Sequence, residues 1–98
     1  MSPGDNVSNV SNVSDGGRAR AVVEVLARAL TDRPDDVRVT ETDHRGTTLV
    51  ELYVGSGELG RVIGKQGRTA AALRTLAASA AEIDGRTVTV EIREGRPV

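Results

Sequence analysis

Apolar residues recur along the chain with two different periods, and each change of period marks an element. Over residues 18–32, Val22, Leu26, Ala29 and Leu30 fall on one side of a helical repeat with Val25 beside them, while Arg20, Glu24 and Arg28 point away. This predicts an amphipathic helix, stopped by Pro34. Residues 37–43 alternate as a strand, with Val37 and Val39 on one face, and the connection Asp43-His44-Arg45-Gly46 leads to a second alternating run at 47–54. There Val50, Leu52 and Val54 face a core, and Leu49, Glu51 and Tyr53 the other side. So short a link predicts an antiparallel hairpin. Ser56 stands where it can cap a short helix holding Leu59, Val62 and Ile63. A longer helix is predicted over 68–83, with Leu73, Leu76, Ala77 and Ala80 on one stripe, ended by Asp84-Gly85. Residues 87–93 make a last strand in which Val88, Val90 and Ile92 alternate with Thr87, Thr89 and Glu91.

The order helix-strand-strand-helix-helix-strand predicts an α+β domain with the helices packed on one face of a three-stranded sheet. If the last strand lies beside the second, the helical pair is a right-handed crossover, those two strands are parallel, and the sheet is mixed. The other sheet face, with Tyr53 and Leu49, is expected to be open to solvent or to a partner. The chain of 98 residues is enough for one domain. Its start, "MSPGDNVSNVSNVSDGG", repeats Ser, Asn and Val without an apolar period. Residues 1–17 are therefore expected to be a disordered tail, residues 18–95 the folded domain, and 96–98 its end.

Composition narrows the chemistry. Without cysteine there is no disulfide, thiolate metal site or cysteine nucleophile. The single histidine, His44, lies in a predicted turn and has no evident catalytic partner. No paired carboxylates, metal cluster or nucleophile-base set stands out, so no catalytic residue, metal or cofactor is expected. No stretch is long and apolar enough to span a membrane and no export signal is evident, so a cytoplasmic location is expected. The formal net charge of −1 offers nucleic acid nothing overall, yet the charged residues over 59–81 are Arg61, Lys65, Arg68 and Arg74 alone. Such a local patch attracts phosphate because screening confines distant charges to about 8–10 Å. The alternative is a solvated helix face.

Residues 54–68, "VGSGELGRVIGKQGR", contain Gly55, Gly57, Gly60, Gly64 and Gly67, a density that is costly in regular structure. Three phosphate-loop readings compete. Gly55-Ser-Gly57-Glu-Leu-Gly60 spells the dinucleotide fingerprint, but its helix breaks at Gly64 and further strand-helix-strand units are missing. A Walker loop fails because Leu59 replaces the first glycine and Gln66 the magnesium-binding hydroxyl. The third reading is Gly64-Lys65-Gln66-Gly67 as a turn between two helices. Glycine permits φ > 0 and close backbone approach, and the free N–H groups and dipole of the next helix favour an anion. Lys65, Gln66 and Arg68 add two cations and an amide. An unliganded helix-turn-helix link would share the same four letters.

In its setting the motif is more telling. "LGRVIGKQGRTAAALRTL" resembles the core of a KH domain: a short helix with Gly-x-Val-Ile, a GxxG loop, then an amphipathic helix. The element order is that of the type II, bacterial form, and the length resembles the small single-KH proteins of the KhpA family. The resemblance spans residues 18–94. It implies single-stranded RNA binding without catalysis, as an RNA chaperone or post-transcriptional regulator. Gly64, Lys65, Gln66 and Gly67 would clamp the nucleotide backbone. Gly60, Arg61, Val62 and Ile63 would form the helix leading into the clamp, with Val62 and Ile63 walling the base groove. Charge and position add Arg68 and Arg74. The family implies a homodimer, or a heterodimer with a larger KH-containing protein. The competing expectation is a KH-fold dimerisation module with little RNA binding of its own.

Overall fold

The computed structural model describes residues 17–97. All of the expected tail except Gly17, and Val98 at the other end, lie outside the described residues. Helix α1 spans Arg18–Leu30, and a single 3₁₀ turn at Pro34–Asp36 leads into β1, Arg38–His44. Strand β2 is Thr47–Val54 and is followed by the short helix α2, Leu59–Ile63. A 3₁₀ turn at Lys65–Gly67 joins α2 to α3, Arg68–Ile83, and β3 is Thr87–Glu94.

The sheet has the order β1-β2-β3. β1 pairs antiparallel with β2, Val39 opposite Leu52, and β2 pairs parallel with β3, Val50 beside Val90. Between β1 and β2, Arg45 and Gly46 both take positive φ, 51° and 83°, the geometry that matches a tight hairpin to strand twist. The mixed sheet read from the sequence is thus formed.

Alternation and register place Thr48, Val50, Leu52 and Val54 under the helices, with Val90 next to them. Ala19, Val23 and Ala27 from α1, Val62 from α2, and Leu73, Ala77 and Ala81 from α3 complete the core. The buried stripe of α1 is therefore rotated from the expected Val22-Leu26-Leu30 line. Val25 is 68% exposed and Leu30 37%. Small side chains at Ala19 and Ala27 let α1 approach its neighbours closely, which a stripe of larger residues would prevent. On α3, Leu73, Ala77 and Ala80 are buried as expected, but Leu76 is half exposed.

Two further departures shape the site. Helix α1 ends at Leu30, not at 32, because Thr31 turns extended (φ −88°, ψ 153°) and its side chain is held by Glu58. Tyr53 points away from the helices, as read, but is buried rather than open. In register it lies between Arg38 and Arg93, whose long side chains flank its position.

Candidate nucleic-acid interface

Helix α2 begins two residues later than the expected Ser56 cap. Glu58 occupies the N-cap position, and no side chain caps the helix; Ser56 is exposed. Glu58 instead reaches back to the end of α1. Its carboxylate accepts hydrogen bonds from the Thr31 hydroxyl and, at 2.7 Å, from the Asp32 backbone N–H. These bonds, the Thr31 hydroxyl first, hold its pKa below the ordinary carboxylate value, helped by Arg61 and Arg33 nearby. At the third residue of the helix, Arg61 closes an ion pair with Asp32 at 2.6 Å. Neither Glu58 nor its two partners stood out in the sequence. The only trace was an acid at the start of a helix, where the dipole favours one.

Beyond Ile63 the chain turns through the four-residue loop. Gly64 (φ 75°, ψ 173°) donates its N–H to the Gly60 carbonyl at 2.9 Å and ends α2. Gln66 (φ 56°) and Gly67 (φ 73°) are left-handed, and Gly67 returns a hydrogen bond to the Gly64 carbonyl at 3.1 Å. The two glycines serve different needs. A Cβ on Gly64 would lie 2.2 Å from Thr69 Oγ1, so the loop folds back onto the first turn of α3 there. A Cβ on Gly67 would meet nothing within 4 Å; only its φ demands glycine. Open space at Gly67 leaves the loop backbone approachable.

Helix α3 starts directly from this loop with no side-chain cap and no acid in its first turn. The Arg68 N–H is taken by the Lys65 carbonyl, but no side chain caps the next turn and no acid offsets the positive dipole end. Lys65, Gln66 and Arg68 are exposed around it, with Arg68 Nη2 donating to Gln66 Oε1 at 2.9 Å. Two turns along, Arg74 Nε donates to the Val90 carbonyl at 3.1 Å, bridging α3 to the outer edge of β3. Ile63 is half-buried beside the loop, and nothing crowds the position a Gly60 Cβ would take.

The sequence-predicted residues lie along α2, the glycine loop and the first half of α3, with Arg74 reaching the edge of β3. Two do not contribute as expected. Val62 is fully buried, so it anchors α2 in the core and cannot wall a groove. Arg61 is turned back to Asp32, which neutralises it. The patch of four cations becomes three, Lys65, Arg68 and Arg74, none in an ion pair with another described residue.

The dinucleotide fingerprint dissolves on inspection. Gly57 (φ 84°) turns the chain, and its N–H is already bonded at 2.7 Å to the Glu94 carboxylate. Gly55 makes room for Asp36, whose Oδ2 would sit 2.8 Å from a Cβ there. Among the described residues no helix is long and apolar enough to cross a membrane and no group of three candidate metal ligands occurs.

Element order, mixed sheet and the glycine-bounded loop between α2 and α3 define a type II KH domain. The family model described as KhpA/KhpB, KH domain matches residues 20–92, and the chain belongs to that family. The chain is similar to the RNA-binding protein KhpA of Aquifex aeolicus, 48% identical over 73 residues, covering 74% of this chain and 92% of that one. It is 52% identical over 70 residues to the RNA-binding protein KhpA of Mycobacterium bovis, covering 71% and 84%. Among solved structures, Aquifex aeolicus Era bound to GDP and aluminium fluoride matches the fold with a TM-score of 0.59 at 20% identity, over 96% of this chain and 36% of that one.

Proposed function

We propose that this protein binds single-stranded RNA, gripping the nucleotide backbone at Gly64, Lys65, Gln66 and Gly67. Bases would lie beside Gly60, Ile63 and the facing side of α3, bounded by Arg74 and the β3 edge. The observation that carries this reading is the open, left-handed loop at the uncapped start of α3, with Lys65 and Arg68 unneutralised beside it. An anion of extended shape would suit such a surface better than a compact one, because Arg74 offers a further cation along α3 beyond Lys65 and Arg68. The printed name of the relatives, RNA-binding protein, supports it. The role follows as a cytoplasmic RNA chaperone or post-transcriptional regulator. The only aromatic residue is the buried Tyr53, so no ring platform stacks the bases. Binding by one domain is therefore weak, with a salt slope of about 0.7 for each phosphate contacted on a single strand.

The test is anisotropy of a labelled single-stranded RNA with wild type and the Lys65→Asp/Gln66→Asp double variant at two salt concentrations. Aspartate tolerates the left-handed φ at 66, so the variant is expected to fold and to lose RNA binding. Undiminished binding by the folded variant would remove the loop from the interface.

A second reading has its own support. Val25, Leu76 and Ile83 are exposed, and an apolar groove lined by Ala21, Val22, Val25, Leu26 and Leu76 runs between α1 and α3. This surface is suited to a second copy of the chain, or to the KH domain of a larger partner. Weak affinity per domain favours such pairing.

A further inference from the structure

A second polar feature lies at the other end of α2. A cavity of about 280 Å³ opens where β2 and β3 end and β1 begins, lined by Arg33, Asp36, Arg38, Ser56 and Arg96. Its charges do not cancel. Arg33 pairs with Asp36 at 2.9 Å. Glu94, next in sequence to Gly95 of the lining, is turned to the Gly57 N–H. Arg38 directs one guanidinium nitrogen to the Asp35 and Val37 carbonyls, both at 2.8 Å, and finds no carboxylate among the described residues. Arg96 makes no ion pair or hydrogen bond with another described residue. Two guanidinium groups thus face one recess beside a free hydroxyl, Ser56. That is the donor set of a phosphate site, since arginine presents paired N–H groups to phosphate oxygens.

We infer that this recess binds a phosphate group of the RNA backbone outside the loop cleft, so that a strand longer than the cleft is held at a second point. The inference rests on the RNA-binding reading above. Its geometric basis is α2: the recess lies at the N-terminal end of this helix, through Ser56, and the glycine loop at its C-terminal end. Ser56 stands three residues before α2, so a strand joining the two points must pass the turn at 56–58 as well as the helix, itself about 8 Å long. The cleft itself is of a size for about four nucleotides. RNA of four nucleotides would be confined to the cleft, and RNA of about ten would extend to Arg38 and Arg96.

The experiment compares oligonucleotides of four and ten nucleotides against wild type, Arg96→Gln and Arg38→Gln/Arg96→Gln across a salt series. The double variant is expected to bind the longer RNA several-fold less tightly, its salt slope falling by about 0.7 per lost contact, with the shorter RNA unaffected. Arg96→Gln alone guards against a folding defect, because Arg96 lies outside the sheet and supports nothing in it. In parallel, inorganic phosphate is titrated into labelled wild type, and the amide signals of Ser56 and Gly95 are followed. Shifts there that disappear in the double variant are expected. Equal weakening for both lengths, or shifts without any length dependence, would overturn the inference while the cleft stands. Failure of wild type to bind either RNA would overturn the RNA reading itself and this extension with it.

Discussion

At the scale of the residue, the two loop glycines are alike in the sequence and unlike in the fold. Both sit at φ near +75°, where a side chain costs about 1–2 kcal/mol. Gly67→Ala should cost about that much and no more, because the space around it is empty. Gly64→Ala should cost clearly more, since its Cβ would strike Thr69 Oγ1 and lie 2.7 Å from Thr69 Cβ. Urea denaturation of the two variants checks the order; equal losses would show that Thr69 swings aside freely. The motif spacing made both positions legible, because a helix-turn-helix of four residues needs φ > 0 somewhere. The contact with Thr69 was not legible, since it depends on how α3 folds back over the loop.

At the scale of the element, α2 is the shortest α-helix of the described fold and leads into the candidate loop. A helix of five residues does not persist alone. It is held by Val62 in the core, by Arg61 on Asp32, and by Glu58 on Thr31 and the Asp32 N–H. Arg61 and Val62, read from the sequence as RNA contacts, thus also hold α2 in place. Glu58 gives the support a pH dependence. Its carboxylate is stabilised in the fold, so its contribution is complete above the ordinary value of 4.5 and is lost as the pH falls through the lowered folded pKa. Glu58→Gln should therefore destabilise the protein at neutral pH and flatten the loss of stability on acidification below 4.5. Thermal melts at neutral pH and near pH 3 measure this; parallel acid limbs in both proteins would exclude Glu58 as a source. Loosening α2 should also weaken RNA binding, since the loop hangs from its end.

At the scale of the whole molecule, the cleft and the exposed apolar surface point different ways. Arg74 and Leu76 are two residues apart on α3, about 200° around the helix, so pairing through Leu76 leaves the cleft free. Leu76→Glu should convert a sedimenting dimer to a monomer with little change in melting temperature, because Leu76 is already 51% exposed. A wild type that sediments as a monomer at high concentration would count against pairing through this face. Periodicity and glycine spacing were enough to determine the order of elements, the antiparallel hairpin, the bounds of β2 and α3, and the glycine-bounded loop between α2 and α3. These depend on residues close together in the chain, whose alternation and turn chemistry are local. Only the tertiary structure decided which apolar stripe of α1 is buried, that Tyr53 is covered, that Arg61 is neutralised by Asp32, and that Glu58 pins α2 to α1. Each of those depends on partners 15 or more residues away or on how closely two helices approach, and neither periodicity nor propensity carries that distance.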